Sequence, residues 1–185
     1  MIQFIVDAID TNLATKITAN VRNYGLCAEI ERESQDGGTN RYLIDSLGNA
    51  AVTDDSYLIG SAHVLNAVNA EYRSDRSFNI SEVAEMQLLV WITAAAFTQH
   101  DVYSLFRSVI FATEAVHPSA KNIELNVTRA NFKSTEIFRN NYNYFRGNRT
   151  TANTPVNITY IGIDYNISAQ YKNNKLDCIN CLNPC

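Results

Sequence analysis

The chain's most distinctive chemistry is concentrated in residues 129–149, which hold Arg129, Phe132, Lys133, Phe138, Arg139, Tyr142, Tyr144, Phe145, Arg146 and Arg149. Aromatic rings interleaved with cations can stack bases and grip phosphates. The same residue types also dominate the energetics of protein interfaces. Nothing resembling a known nucleic-acid-binding motif surrounds them. The whole chain is acidic, with 15 Lys and Arg against 19 Asp and Glu and a formal net charge of −4. The segment therefore reads first as an arm or edge that packs on a neighbouring subunit. The alternative is a nucleic-acid-binding module that uses the basic aromatic residues.

Other reactive residue types are scattered. Cys27 stands alone, and Cys178, Cys181 and Cys185 form a C-x2-C-x3-C tail. Three thiolates suit a soft metal. A structural zinc site, however, pairs two such clusters across a folded loop, so no metal is expected. His63, His100 and His117 neighbour no motif. His63 lies among apolar residues and reads as a core or interface histidine rather than a base. Asp54 and Asp55 read as a solvated loop pair. Glu82 and Glu85, three apart, point to opposite faces of a strand and so do not pair as acid and base. Dinucleotide, phosphate-loop, metalloprotease and nucleophile-elbow motifs are all missing from the sequence. No catalytic residue and no cofactor are expected, and a small α+β enzyme or ligand binder is kept as a third class. Asn-x-Ser/Thr occurs at Asn79, Asn126, Asn148, Asn157 and Asn166, as chance allows in so Asn-rich a chain. The opening Met1–Phe4 lacks a basic region and meets Asp7 and Asp10 at once, so it does not read as a signal peptide. Apolar runs such as Leu88–Ile92 fall far short of the ~20 residues that span a bilayer.

The elements that must position these residues follow from hydrophobic spacing. Ile2, Ile5, Val6, Ile9, Leu13 and Ile17 predict a helix over 2–17, and Gly25 closes that segment. Residues 26–33 and 41–45 predict two strands around a Gly37-Gly38 turn, and 46–56 a polar loop. Residues 57–72 fit helix or strand. The long alternation over 78–93 favours strand for both, as a long antiparallel hairpin. Val102, Leu105, Phe106, Val109 and Ile110 predict a helix over 98–112. Thr98 is its N-cap, and Asp101 suits the positive end of its dipole. Ile123, Leu125 and Val127 predict a short strand, 129–154 has no period, and 156–171 alternates as a last strand. The fold class is α+β: a mostly antiparallel sheet with long hairpins, packed on one face by two helices. It forms one domain over 1–171, with 129–154 an interface arm or loop, followed by a Cys-bearing tail over 172–185.

Charge is uneven along the chain. Residues 1–60 hold four basic and nine acidic residues, a net −5, whereas 121–185 hold eight and four, a net +4. The run Met86–Ile92 leads through a short loop into the helix Asp101–Ala112. Tyr142-Asn143-Tyr144-Phe145-Arg146 and the strand Ile158–Tyr165 follow. With the N-terminal helix and the preceding hairpin, this element order resembles the tail terminator (tail completion) and neck ring proteins of tailed bacteriophages. The resemblance implies a non-enzymatic virion protein of the tail or neck, made in the host cytoplasm. It implies a homo-oligomeric ring, a hexamer or dodecamer, that caps the tail tube and joins it to the head connector. DNA would pass through the lumen without specific binding, and no membrane is involved. Opposite charges on one subunit suit the heterologous contacts of such a ring.

Overall fold

The structure is a computed structural model that describes residues 2–17, 21–33, 37–51, 57–72, 79–92, 97–113, 120–132 and 159–172. Its elements are α1 (Ile2–Lys16), β1 (Val21–Glu33), β2 (Thr39–Ile44), β3 (Ile59–Tyr72), β4 (Asn79–Ile92), α2 (Gln99–Ala112), β5 (Ala120–Asn131) and β6 (Thr159–Lys172). The strands form one sheet in the order β2-β1-β3-β4-β6-β5. Together with the two helices this is an α+β fold. The sheet is mixed: β1 and β3 run parallel, and every other neighbouring pair is antiparallel. The parallel pair has a simple cause. β2 turns back along one side of β1, and the chain then crosses to β1's other side. The next strand therefore runs in β1's direction.

The core follows the period-2 alternation of the two central strands. Ala84, Met86, Leu88, Val90 and Ile92 of β4 lie with Ile161, Ile163, Tyr165 and Ile167 of β6 in one buried cluster. Ile5, Val6, Ile9 and Leu13 of α1 and Val102, Phe106, Val109 and Ile110 of α2 complete it. Full burial of each such side chain is worth roughly 1.5–3 kcal/mol, which is what holds both helices on this face. α2 begins at Thr98, the expected N-cap, and Asp101 completes a capping box with it, each side chain bonding the other residue's backbone N–H. The alternate residues Leu89 and Trp91 point to the opposite face. There they join Cys27, Leu43, Ala51, Ala62, Val64 and Tyr160 in a second, smaller cluster.

Two boundaries differ from the expectation. Gly25 does not close a segment but sits inside β1, at φ 68°, where the register with β3 shifts between Asn23 and Leu26. Glycine takes positive φ as readily in a β-bulge as in a turn. β5 is also longer than Ile123–Val127 and takes in Arg129, so the expected arm over 129–154 begins as strand.

Gly60 stands opposite Trp91 in the β3–β4 ladder. A Cβ at Gly60 would fall on the indole, meeting its Cε2, Nε1 and Cζ2 atoms. The absent side chain is what lets the ring lie flat across β3 while only 1% exposed. Gly60→Ala is therefore expected to displace Trp91 and to cost roughly 1–3 kcal/mol by overpacking. Trp91 is the chain's single Trp, so its emission spectrum reports the displacement directly. The urea midpoint reports the stability loss.

Candidate interaction surface at the split sheet edge

β1 and β3 pair from Val21 opposite Ile59 to Cys27 opposite Val64, and then part. Beyond that point β1 pairs with β2, from Ala28 opposite Ile44 to Glu33 opposite Thr39. β3 runs on to Tyr72 with β4 as its neighbour. Among the described residues, no strand pairs with the other side of β3 from Leu65 to Tyr72. A bulge between Leu65 and Ala67 marks the change. The extra residue twists the strand and shifts its alternation by one. His63 therefore lies opposite Leu88, but it is Val68 that lies opposite Ala84. Leu65 and Val68 are left 39% and 47% exposed.

The parting strands enclose a groove of about 550 Å³ lined by Leu26, Cys27, Ala28, Val64 and Leu65, with Glu29 and Asp45 among its polar residues. Asp45 anchors the turn after β2, its Oδ1 accepting from the backbone N–H groups of Leu47 and Asn49. Desolvation works to raise its pKa, but these bonds, the Asn49 side chain and the charge of Arg22 hold it below the usual carboxylate value. Cys27 has the opposite balance. Burial first, then the charges of Asp45 and Asp10, push its thiol up to about 12. It is a protonated wall of the groove, not a nucleophile.

Behind the groove, His63 is fully buried. Its Nδ1 lies 2.7 Å from the Tyr165 hydroxyl of β6, and its Nε2 lies 3.2 Å from Asp10 Oδ1 of α1. A carboxylate oxygen accepts, so the Nε2–H donates to Asp10, and the second hydrogen bond joins Nδ1 to the Tyr165 O–H, its direction following the protonation of the imidazole. Burial, then the Asp10 charge, push the Tyr165 phenol up, so it keeps that proton. Both ring nitrogens are engaged. His63 ties α1, β3 and β6 together and has no ring nitrogen left to serve as a base. Ser61 Oγ donates to Asn23 Oδ1 at 2.7 Å, bonding β3 to β1 just before they part.

The residues singled out from the sequence are placed as follows. Arg129 is exposed on β5, opposite Asp164 of β6. Phe132 is half-buried under α2, its ring centroid 4.7 Å from that of His100 and 5.5 Å from that of Tyr103. Its carbonyl accepts from Gln99 Nε2 at 3.0 Å. It packs, partly buried, against the main core. Lys133, Phe138, Arg139, Tyr142, Tyr144, Phe145, Arg146 and Arg149 lie outside the described residues, as do Cys178, Cys181 and Cys185. Among the described residues, no three His, Cys, Asp or Glu side chains gather as a metal site, and no helix is long and apolar enough to cross a membrane. The open edge of β3 was not foreseen. Its trace in the sequence is the three-residue step from Leu65 to Val68, which breaks the period of two.

No protein-family model matches this chain, and no curated protein matches it.

The Cys27 shift sets a pH dependence. From its ordinary value of 9.0 up to about 12, the unfolded chain releases a proton that the folded chain keeps. Stability falls with rising pH across that window, by up to about 1.4 kcal/mol per pH unit for one such group. Cys27→Ala should flatten this part of the alkaline limb, checked by urea denaturation at pH 8 and pH 10.5. An unchanged slope would place the thiol in contact with solvent.

Proposed function

We propose that this chain is a structural subunit of a tailed-bacteriophage virion. It forms a homo-oligomeric ring at the neck or tail end that terminates the tail tube and joins it to the head connector. The ring is a hexamer or dodecamer, DNA passes through its lumen without specific binding, and no reaction is catalysed.

The observation that carries this reading is the presence of two unlike surfaces on one subunit. One is an exposed strand edge on the acidic N-terminal side of the sheet. The other is β5, the outermost strand on the far side, which carries exposed Arg129 and leads in sequence into the basic aromatic residues 133–149. Unlike patches that meet between copies make heterologous contacts, and these close into rings when the rotation allows. The element order of helix, hairpin, long hairpin, helix and final strand pair also supports the resemblance. The nucleic-acid reading has less support. Phe132 is packed under α2, so its ring is no open stacking platform.

Assembly should be partly salt-dependent. Exposed charge pairs are screened beyond ~8–10 Å at ordinary ionic strength, whereas apolar contacts resist salt. Light scattering after size exclusion should give a mass of six or twelve subunits that declines, without vanishing, as salt rises. Negative-stain images should show annular particles. A monomer at high protein and low salt concentration would overturn the ring. A salt-sensitive gel shift by that monomer would favour the nucleic-acid module.

A further inference from the structure

We infer that the open edge of β3, from Leu65 to Tyr72, is completed in the assembly by an added strand. That strand comes from the basic aromatic segment 133–149 of a neighbouring copy. The inference rests on the ring reading and names the contact that builds it.

Four observations support it. First, an exposed strand side carries backbone N–H and C=O groups that another extended chain can pair with, which is how strand addition gains affinity. Second, the groove beside that edge is lined by apolar Cys27, Val64 and Leu65 and by acidic Glu29 and Asp45. Exposed Glu71 and Glu85 lie further along the edge and on the neighbouring strand. Third, residues 133–149 carry Lys133, Arg139, Arg146 and Arg149 against Glu136 alone. In an extended chain Tyr142 and Tyr144 fall on one face, suited to an apolar lining, while Arg139 and Arg146 flank them. Charge and apolar character thus match on both counts.

The fourth observation is one of placement, and it suits a neighbouring copy. In sequence the segment follows Phe132, the residue after β5, and precedes Thr159, where β6 begins. β6 and β4 separate β5 from β3. Extended at roughly 3.3 Å per residue, half of residues 133–158 spans about 40 Å, enough to reach a copy alongside. Donor and acceptor sit on opposite sides of the sheet, as a head-to-tail ring requires.

The test uses two full-length variants. Glu29→Lys with Glu71→Lys reverses the edge, and Arg139→Glu with Arg146→Glu reverses the segment. Each alone should weaken self-association about tenfold or more, through like-charge contact. Thermal midpoints measured beside the wild type separate lost assembly from lost folding. Mixed in equal amounts, they should regain assembly, because each variant's segment matches the other's edge. A photo-crosslinking residue at Val68, in a mixture of ¹⁴N- and ¹⁵N-labelled protein, should capture peptides from 133–149 of the other isotope. Failure of the mixture to reassemble would overturn the inference. So would crosslinks within one chain, or from β3 to β3, with the ring still present; the ring reading would survive either. A wild-type chain that remains monomeric would remove both.

Discussion

A buried imidazole must find a partner for each nitrogen, and His63 finds them in two different layers of the molecule. Asp10 comes from α1 and Tyr165 from β6, while His63 itself rides on β3. Losing one partner would leave a buried polar group unsatisfied, at a cost of roughly 1–3 kcal/mol. The arrangement therefore fixes where α1 lies, how far β3 remains flat against β1, and which face of β6 turns inward. Ser61 and Asn23 reinforce the same stretch of β3. Past His63 comes only Val64, the last residue paired with β1, before the bulge twists β3 away. The open edge begins where this buried anchorage ends.

An open strand edge is a liability unless it is blunted or used. Here it is partly blunted. Asn66, Asn69 and Glu71 are polar and exposed, and Asn69 donates to Glu85 on the neighbouring strand. It is not fully protected, because Leu65 and Val68 stay accessible and an apolar groove opens beside them. That combination suits a surface covered by a chosen partner, in which polar positions select against wrong partners and apolar ones supply affinity. The protonated, buried Cys27 fits the same purpose, as a small apolar wall.

Much of the fold was legible from the sequence because it is encoded locally. The alternation from Ala84 to Ile92 and from Ile161 to Ala169 names the inward faces of the two central strands. The Thr98–Asp101 pair fixes where α2 starts. What escaped depends on distant partners. Gly25 carries the same local signal at a turn as in a bulge, and only the pairing with β3 decides between them. The parallel pairing of β1 and β3 leaves no mark in either strand's own pattern. Phe132 looked like part of a polar arm until α2 supplied His100 and Tyr103 as its neighbours. The open edge was hidden in the same way, since a strand's sequence does not say how many of its two sides will be paired.

Hydrogen–deuterium exchange of the full chain, followed at concentrations below and above assembly, tests the central claim most directly. In the unassembled chain, the amides of Ile59–Val64, held between β1 and β4, should exchange slowly. Half of those over Leu65–Tyr72, the ones facing away from β4, should exchange fast. On assembly the fast set should become protected while the first set barely changes. Fast exchange over Leu65–Tyr72 that persists in the assembled state would contradict the account, because it would leave the open edge of β3 without the added strand inferred to cover it.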